Sequence, residues 1–224
     1  MKRIVVAFAV LIAAVFTVNA QGFIGGGLGV DYNSAKRKTG STSTDMGSGF
    51  AFSFTPKAGY FLNDKFGLGL EVGLLSATLK PQSSGSNNPK HNLTGWGVDA
   101  FALYKLVEVE KITFLLAGSV GFGEVKTKYT SGSTTTNYDP ITTFGVGILP
   151  VLSYSLTDRF NIDVACNFLR LGFDSTTEKS ASNKDNKDTV NTFGLGVNSP
   201  TIGLGSYGDI STSDFLNISI IYKF

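Results

Sequence analysis

Residues 216–224 read Leu-Asn-Ile-Ser-Ile-Ile-Tyr-Lys-Phe, and this stretch decides how the rest of the chain is interpreted. Apolar side chains occupy every second position and mostly polar ones fill the gaps, which is the pattern of a β-strand with one apolar face. The apolar set is Leu216, Ile218, Ile220, Tyr222 and Phe224. Such a strand can turn its apolar face inward to a core or outward to an apolar solvent, so the remaining sequence has to decide between the two.

The composition narrows the class of protein. The 224 residues are 42% hydrophobic and only 16% charged, with 27 glycines and 18 phenylalanines. Low charge and many aromatic residues exclude a disordered chain, and so much glycine argues against a helical one. The net charge of +2 is too small to indicate a nucleic-acid partner.

The first twenty residues indicate export. Lys2 and Arg3 precede an apolar run from Ile4 to Val18, and small residues end at Ala20, before Gln21. This run is shorter than the roughly 20 residues that a spanning helix needs. The pattern therefore predicts a cleaved signal peptide at 1–20 and a single domain at 21–224. No later apolar run is long enough for a spanning helix, so a membrane-bound mature chain would have to be a β-barrel.

The alternation of residues 216–224 recurs along the whole mature chain. It predicts strands at about 22–33, 49–62, 66–79, 94–106, 111–125, 141–156, 160–173 and 216–224. One face of each strand is bulky and apolar, and the other is small or polar. A soluble barrel packs bulk inside, whereas a membrane barrel exposes bulk to lipid. The prediction is an all-β fold, an eight-stranded antiparallel up-and-down transmembrane barrel.

The connections alternate between short and long. Those at 63–65, 107–110 and 157–159 are tight, and those at about 34–48, 80–92, 127–140 and 174–213 are long and polar. Short periplasmic turns and long external loops are typical of outer-membrane barrels. Residues 191–206 regain the alternation, so they form either a hairpin above the membrane or two further strands, giving eight strands or ten. We favour the hairpin because proline and glycine interrupt the segment.

An internal repeat fixes the register of two hairpins. Residues 54–66 resemble residues 148–160, each with a three-residue turn between apolar positions that face lipid. Counting back from the first turn places Lys57 opposite Glu71 in the lumen, and the second turn places Ser153 opposite Asp163.

A polar cluster is therefore predicted in the lumen, comprising Lys57, Glu71, Asp99 and Asp163. It could line an ion path or form a satisfied plug. We favour the plug because the interior of eight strands is just wide enough for side chains.

The sequence offers little for catalysis or for a cofactor. Barrel hydrolases need a Ser/His or Asp/His set, and the chain has one histidine, His91, without a patterned serine partner. Cys166 is the single cysteine, so no Cys/His metal cluster is expected. We predict no catalytic residue, no metal site and no cofactor.

The chain resembles the small outer-membrane barrels of the OmpA/OmpX type, and more closely the outer membrane protein beta-barrel domain (porin-family) proteins of Bacteroidetes. The residues that carry this resemblance are 56–66, Asp99-Ala-Phe101 with Tyr104, and 221–224. The chain departs from OmpA in ending at the barrel, without a peptidoglycan-binding domain.

The resemblance implies a non-enzymatic protein integral to the cell outer membrane. It implies that the barrel contacts outer-membrane lipid and lipopolysaccharide, and that its external loops can bind a surface ligand. It also implies that the barrel-assembly machinery recognises the last strand. The assembly signal would be Leu216, Ile218, Ile220, Tyr222 and Phe224. Two function classes remain open: an envelope-structural or adhesive barrel, or a narrow porin-like channel.

Overall fold

The computed structural model describes residues 21–39, 41–81, 89–180, 183–195 and 216–224. The predicted signal peptide, residues 1–20, lies outside them. Within the described ranges the chain is almost entirely β-strand, and no helix there is long and apolar enough to cross a membrane.

The described residues contain eleven strands, of which the first five are longer than the sequence pattern indicates. They are β1 (Gln21–Thr39), β2 (Thr42–Phe61), β3 (Phe66–Pro81), β4 (Lys90–Val109), β5 (Ile112–Ser131), β6 (Thr134–Asn137), β7 (Ile141–Ser155), β8 (Phe160–Cys166), β9 (Leu171–Ser180), β10 (Asn183–Leu195) and β11 (Leu216–Lys223). A single 3₁₀ turn, Asn167–Leu169, separates β8 from β9.

Eight of these strands close a ring. Antiparallel pairing runs from β1 through β2, β3, β4 and β5 to β7, then through β8 to β11, which pairs with β1 again. β8 pairs with β7 only at residues 151–155. β9 pairs with residues 141–148 of β7, and β10 pairs with β9. The predicted eight-stranded antiparallel barrel is confirmed. Of the ambiguous segment 191–206, residues 191–195 belong to β10 and the rest lies outside the described residues.

Bulky side chains face outward, as predicted. On β5 and β7 the exposed fractions of Val120, Phe122, Phe144 and Val146 lie between 44 and 46%. The glycines that alternate with them are buried. The outer surface is therefore an apolar belt, which in water would be unstable and in a bilayer is matched by lipid.

Aromatic side chains gather at both edges of the belt. Tyr104, Tyr154 and Phe160 lie near the short turns, and Trp96 and Phe122 lie toward the long hairpins, with ring centroids 5.9 Å apart. Eight residues separate Trp96 from Tyr104, which is roughly 20 Å along the membrane normal for a tilted strand. The belt is thus close in height to the apolar band of outer-membrane barrels, about 25 Å.

The register predicted from the turns is confirmed. Leu62 donates its N–H to the Phe66 carbonyl at 2.8 Å, which closes the turn. Lys57 then pairs with Glu71, and Ser153 with Asp163. Turn length fixes these pairs because each step back along an antiparallel hairpin is one residue on either strand.

The predicted strand at 160–173 is wrong in one respect, because the 3₁₀ turn Asn167–Leu169 breaks it. Val151 pairs with Ala165 and Ile148 pairs with Leu171, so three residues on β7 match six on the broken strand. The insertion of three residues, an odd number, exchanges the two faces. Odd-numbered residues face the lumen before the turn, and even-numbered residues face it afterwards.

Parts of the predicted external loops are also strands. β1 and β2 stay paired up to Thr39 and Thr42, β5 pairs with β6, and Glu178 pairs with Asp188 in the β9–β10 hairpin. These polar segments are rich in threonine, which suits a strand, and backbone pairing satisfies their N–H and C=O groups. The predicted loops at 34–48 and 127–140 and the polar part of 174–213 are corrected accordingly. Residues 82–88 of the loop at 80–92 and residues 196–215 lie outside the described residues.

The tight turn predicted at 107–110 lies slightly later in the chain. Lys105 pairs with Leu115 and Val107 with Phe114, so Leu106 forms a bulge, and β4 continues to Val109. The turn itself consists of Glu110, in the left-handed region with φ of 52°, and Lys111.

Arginine at Val164 tests the outward face of β8. Val164 lies between Leu152 on β7 and Ile218 on β11, in the middle of the apolar belt. Val164→Arg is expected to lower the free energy of unfolding in lipid by about 2–4 kcal/mol, because it places a charge near the bilayer midplane. Leu62→Arg, at the turn edge of the belt, is the control and should cost about 0–1 kcal/mol. Equal costs measured by urea unfolding in vesicles would contradict the assigned face.

Candidate functional site in the barrel lumen

Three of the four predicted lumen residues lie side by side. Lys57 on β2 pairs with Glu71 on β3, and Glu71 pairs with Asp99 on β4. Paired residues on neighbouring antiparallel strands have Cα atoms about 4.5–5.5 Å apart. Asp99 is 3% exposed, so its carboxyl group is removed from bulk water. We refer to Lys57, Glu71 and Asp99 as the charged row.

A glycine makes space for the Asp99 carboxylate. Gly121 on β5 pairs with Asp99, and a Cβ atom added at Gly121 would overlap with the carboxylate. Any larger residue at 121 would have to displace the side chain of Asp99. The small residues predicted for the lumen thus have a specific use at this position.

A buried cation that sequence reasoning missed lies further around the same wall. Arg170 is fully buried and donates from Nη1 and Nη2 to the two carboxylate oxygens of Asp174, at 2.8 and 3.1 Å. Its Nη2 also donates to the Val146 carbonyl at 3.2 Å. Both residues face the lumen only because the 3₁₀ turn exchanges the faces of β8 and β9. The sequence did contain a signal, because unbroken alternation along 160–173 would turn the charged side chain of Arg170 toward lipid.

The fourth predicted residue, Asp163, belongs to a different group of side chains. It accepts a hydrogen bond from Ser153 Oγ at 2.5 Å, and the amide group of Asn161 lies 2.9 Å from the same Oγ. With its amide oxygen toward the lysine, Asn161 also accepts from Lys223 Nζ at 2.9 Å. These residues line a pocket at the short-turn end of the barrel.

This pocket is small. Its volume is about 50 Å³, which is room for roughly four water molecules. Its lining includes Phe23, Leu103 and Leu115, which belong to an apolar cluster of buried side chains.

Two apolar clusters lie in the lumen on either side of the charged row. The lower cluster consists of Phe23, Leu103, Leu115, Ala117, Val151 and Ile221, with Phe61, Phe101, Leu149 and Ala165 packed against it. The upper cluster consists of Leu75, Ala77 and Leu93, with Ala51, Leu79 and Val125. On β4 the sequence Leu93, Asp99, Leu103 shows the order directly, with the carboxylate between two buried leucines. The prediction of a wholly small or polar lumen is wrong at these positions.

Glycines on one strand accommodate aromatic rings from another in the lower cluster. A Cβ atom at Gly59 would meet the ring of Phe23, and one at Gly69 would overlap with the ring of Phe101. Phe23 packs against Phe61 and Phe101 with centroids 5.7 and 6.3 Å away. The glycine and phenylalanine content of the chain is therefore partly used inside the barrel.

The contacts of His91 within the described residues are to an aromatic ring. Its ring lies against that of Tyr129, with centroids 4.7 Å apart and a tilt of 45°, and among the described residues its Nδ1 has no hydrogen-bond partner. Its neighbour Asn92 faces the other way and accepts from Thr78 at 3.2 Å. Among the residues that the structure describes, no three His, Cys, Asp or Glu side chains are placed to hold a metal ion.

The last strand closes the ring through its pairing with β8 and β1. Its outward residues Ile218 and Ile220 are about 60% exposed. Tyr222 lies between Phe160 and Phe224, with centroids 5.0 and 5.3 Å away. The side chain of Leu216 lies outside the described set. The described side chains of the predicted assembly signal thus form an apolar face that ends in an aromatic group.

An antiparallel eight-stranded ring with an apolar outer belt, aromatic edges and short turns at one end defines a transmembrane β-barrel of the outer-membrane class. The chain belongs to the outer membrane protein beta-barrel domain family, whose model matches residues 4–199. The family places the protein in the outer membrane. No curated protein sequence matches the chain.

Several solved outer-membrane proteins are similar to the chain at low sequence identity. The attachment invasion locus protein Ail of Yersinia pestis is 15% identical, with a TM-score of 0.41, over 92% of this chain and 100% of its own. Neisserial surface protein A is 16% identical, with a TM-score of 0.36, over 91% and 97%. A major outer membrane protein from Thermus thermophilus is 16% identical, with a TM-score of 0.41, over 92% and 100%.

Proposed function

We propose that this protein is a non-conducting, non-enzymatic outer-membrane barrel that supports the envelope and presents its external hairpins as a binding surface. The observation that carries the proposal is the packing of buried side chains in the lumen at several heights. Apolar clusters lie above and below the charged row, and the side chains of Arg170 and Leu93 are fully buried in the lumen. An ion that crossed would have to displace packed side chains and lose most of its hydration.

The hairpins supply the surface. β1 and β2 continue as a paired ribbon for seven residues beyond Tyr32 at the upper edge of the belt, up to Thr39. The β9–β10 hairpin is exposed along its described outer part. Pairing orders the backbone of a hairpin before a ligand binds, which lowers the entropic cost of binding.

Conductance in planar bilayers tests the proposal. The folded barrel is expected to give no discrete current steps, with heat-unfolded protein in the same detergent as the control. Steady, uniform steps would favour the alternative, a narrow channel for small ions, in which the charged row would line a hydrated path.

Shortening one hairpin tests the surface role. Cells that display a variant in which residues 36–45 are replaced by a two-residue turn should bind less to a coated surface that the unaltered barrel binds. The matched control changes the β4–β5 turn at the opposite end of the barrel, by Glu110→Asn together with Lys111→Gly. Equal binding by the shortened variant and the unaltered barrel would contradict a role for this hairpin.

The last strand and the lipid contacts complete the proposal. The exposed apolar face of β11 fits recognition by the barrel-assembly machinery during insertion, and the apolar belt fits contact with outer-membrane lipid. The finer assignments, to Bacteroidetes and to a cleaved leader at 1–20, remain predictions.

A further inference from the structure

The pocket at the short-turn end of the barrel is lined by charges of both signs. Its cations are Lys105 and Lys223, and its anions are Asp64 and Asp163. The formal charges of these four side chains sum to zero. A simple ion in the pocket would therefore be attracted by one pair and repelled by the other, whereas a molecule that carries both charges can pair with each.

The pocket reaches from exposed side chains to buried ones. Gln21 and Asp64 are exposed at the short-turn end, whereas Ser153, Asn161 and Asp163 are only 3–9% exposed. A charged group that reaches Asp163 leaves most of its hydration behind. It is stable there only with a partner of opposite sign, so the buried carboxylate selects a cationic group.

Two neutral side chains separate Lys223 from Asp163. With its amide oxygen turned toward the lysine, Asn161 accepts from Lys223 Nζ at 2.9 Å. The Asn161 amide group also lies 2.9 Å from Ser153 Oγ, which donates to Asp163 at 2.5 Å. The ion pairs found among the described residues do not include one between Lys223 and Asp163. The two opposite charges are thus held at different points of the pocket.

Both charges keep capacity for a further partner. A carboxylate has about four acceptor positions, of which the Ser153 hydroxyl uses one at Asp163. An ammonium group has three donor positions, of which Asn161 uses one at Lys223. Lys105 is already paired with Glu108 at 2.8 Å, so Lys223 is the better cation for a ligand.

The size of the pocket limits the ligand to a very small molecule. A volume of about 50 Å³ holds roughly four water molecules. The smallest amino acids are close to this size and carry an ammonium group and a carboxylate joined by one or two methylene groups. Phe23 and Leu115 in the lining offer apolar contacts to that short linker.

We propose that this pocket binds a small amino acid, with its ammonium group at Asp163 and its carboxylate at Lys223. The inference goes beyond the proposed function, because it involves neither the external hairpins nor ion conduction. The short turns of outer-membrane barrels face the periplasm, so the ligand would enter from that side.

Titration of the folded barrel in detergent with glycine and with β-alanine tests this proposal. Binding is followed in the NMR spectrum of the isotope-labelled barrel, in which the side-chain amide signal of Asn161 should shift. Saturable binding of at least one of the two amino acids is the expected result. Absence of saturable binding of both up to about 10 mM, where even weak specific sites are largely filled, would overturn the proposal.

Two variants that each remove one charge should reverse the preference of the pocket. Asp163→Asn keeps an acceptor for Ser153 but removes the partner of the ammonium group. It should weaken amino-acid binding by roughly 10- to 100-fold and strengthen the binding of acetate. Lys223→Gln should weaken amino-acid binding by a similar factor and strengthen the binding of methylammonium. If either variant weakened its single-charge probe as well, the loss would be structural and the proposal would fail.

A third variant and one comparison separate the site from general attraction to ions. Lys65→Gln removes a charge from the β2–β3 turn outside the pocket lining and should leave every affinity unchanged. Equal losses in Lys65→Gln and Lys223→Gln, or acetate binding to the unaltered barrel as tight as that of the amino acids, would contradict the proposal. Lys223 is half-buried near the end of β11. Lys223→Gln is therefore expected to fold, and it decides the outcome with methylammonium if Asp163→Asn does not fold.

Discussion

Replacing Arg170 with methionine is expected to lower the free energy of unfolding by about 3–5 kcal/mol. Arg170 is fully buried, and its guanidinium group holds both carboxylate oxygens of Asp174. Methionine fills part of the volume but leaves Asp174 as a buried charge without this partner. Urea unfolding in lipid vesicles, followed through Trp96, measures the loss.

Two comparisons show that burial causes the effect. Asp174→Asn combined with Arg170→Met should recover part of the loss, because the remaining partner is then neutral. Lys105 and Glu108 form an ion pair of the same 2.8 Å length, but their side chains are 30 and 51% exposed. Lys105→Met breaks this pair and should therefore cost only about 0–1 kcal/mol. If Arg170→Met cost no more than Lys105→Met, the Arg170 pair would have to be hydrated, and the lumen open at that level.

Replacing Lys57 with methionine is expected to destabilise the barrel by a similar amount, about 3–5 kcal/mol in a dry lumen. Lys57 is the cation of the charged row. Without it, the row consists of two neighbouring carboxyl groups, those of Glu71 and Asp99. Asp99 is buried, and Lys57 and Glu71 are half-buried, so the full loss is expected only if the apolar clusters above and below exclude water from the row. The double change Lys57→Met with Glu71→Gln should recover part of the loss.

The same variant separates the two function classes. In a water-filled pore the cost of Lys57→Met would fall toward about 0–1 kcal/mol, and the current through the pore would change instead. Unchanged unfolding together with altered single-channel conductance would therefore sink the filled-lumen proposal. A large loss of stability without conductance would support it.

A large part of the fold was predictable because its causes are local. The alternation of large and small residues in 216–224 and in seven other segments predicts strands with an apolar outer face, and the structure confirms a strand in each segment, except that 160–173 is broken at Asn167–Leu169. The turn at 63–65 fixes the pairing of Lys57 with Glu71, since an antiparallel hairpin leaves no freedom in register once its turn is set. Asp99 could be added to the row because it lies on the inward face of the next strand.

The rest was decided by the closed barrel. The 3₁₀ turn Asn167–Leu169 adds three residues that only the pairing with β7 reveals, and this odd number turns Arg170 and Asp174 into the lumen. Alternation within one strand cannot show such an exchange of faces.

Ring closure also decided what fills the lumen. Phe23 and Phe101 fit inside because Gly59 and Gly69, on other strands, leave space for their rings. Asp163 is separated from the charged row because strand tilt places it with Lys223 at the short-turn end. The sequence by itself determined which residues form strands and which face of most strands meets lipid, since both follow from neighbours along the chain. Only the tertiary structure determined which inward side chains meet, because that depends on shear and on the sizes of residues far apart in sequence.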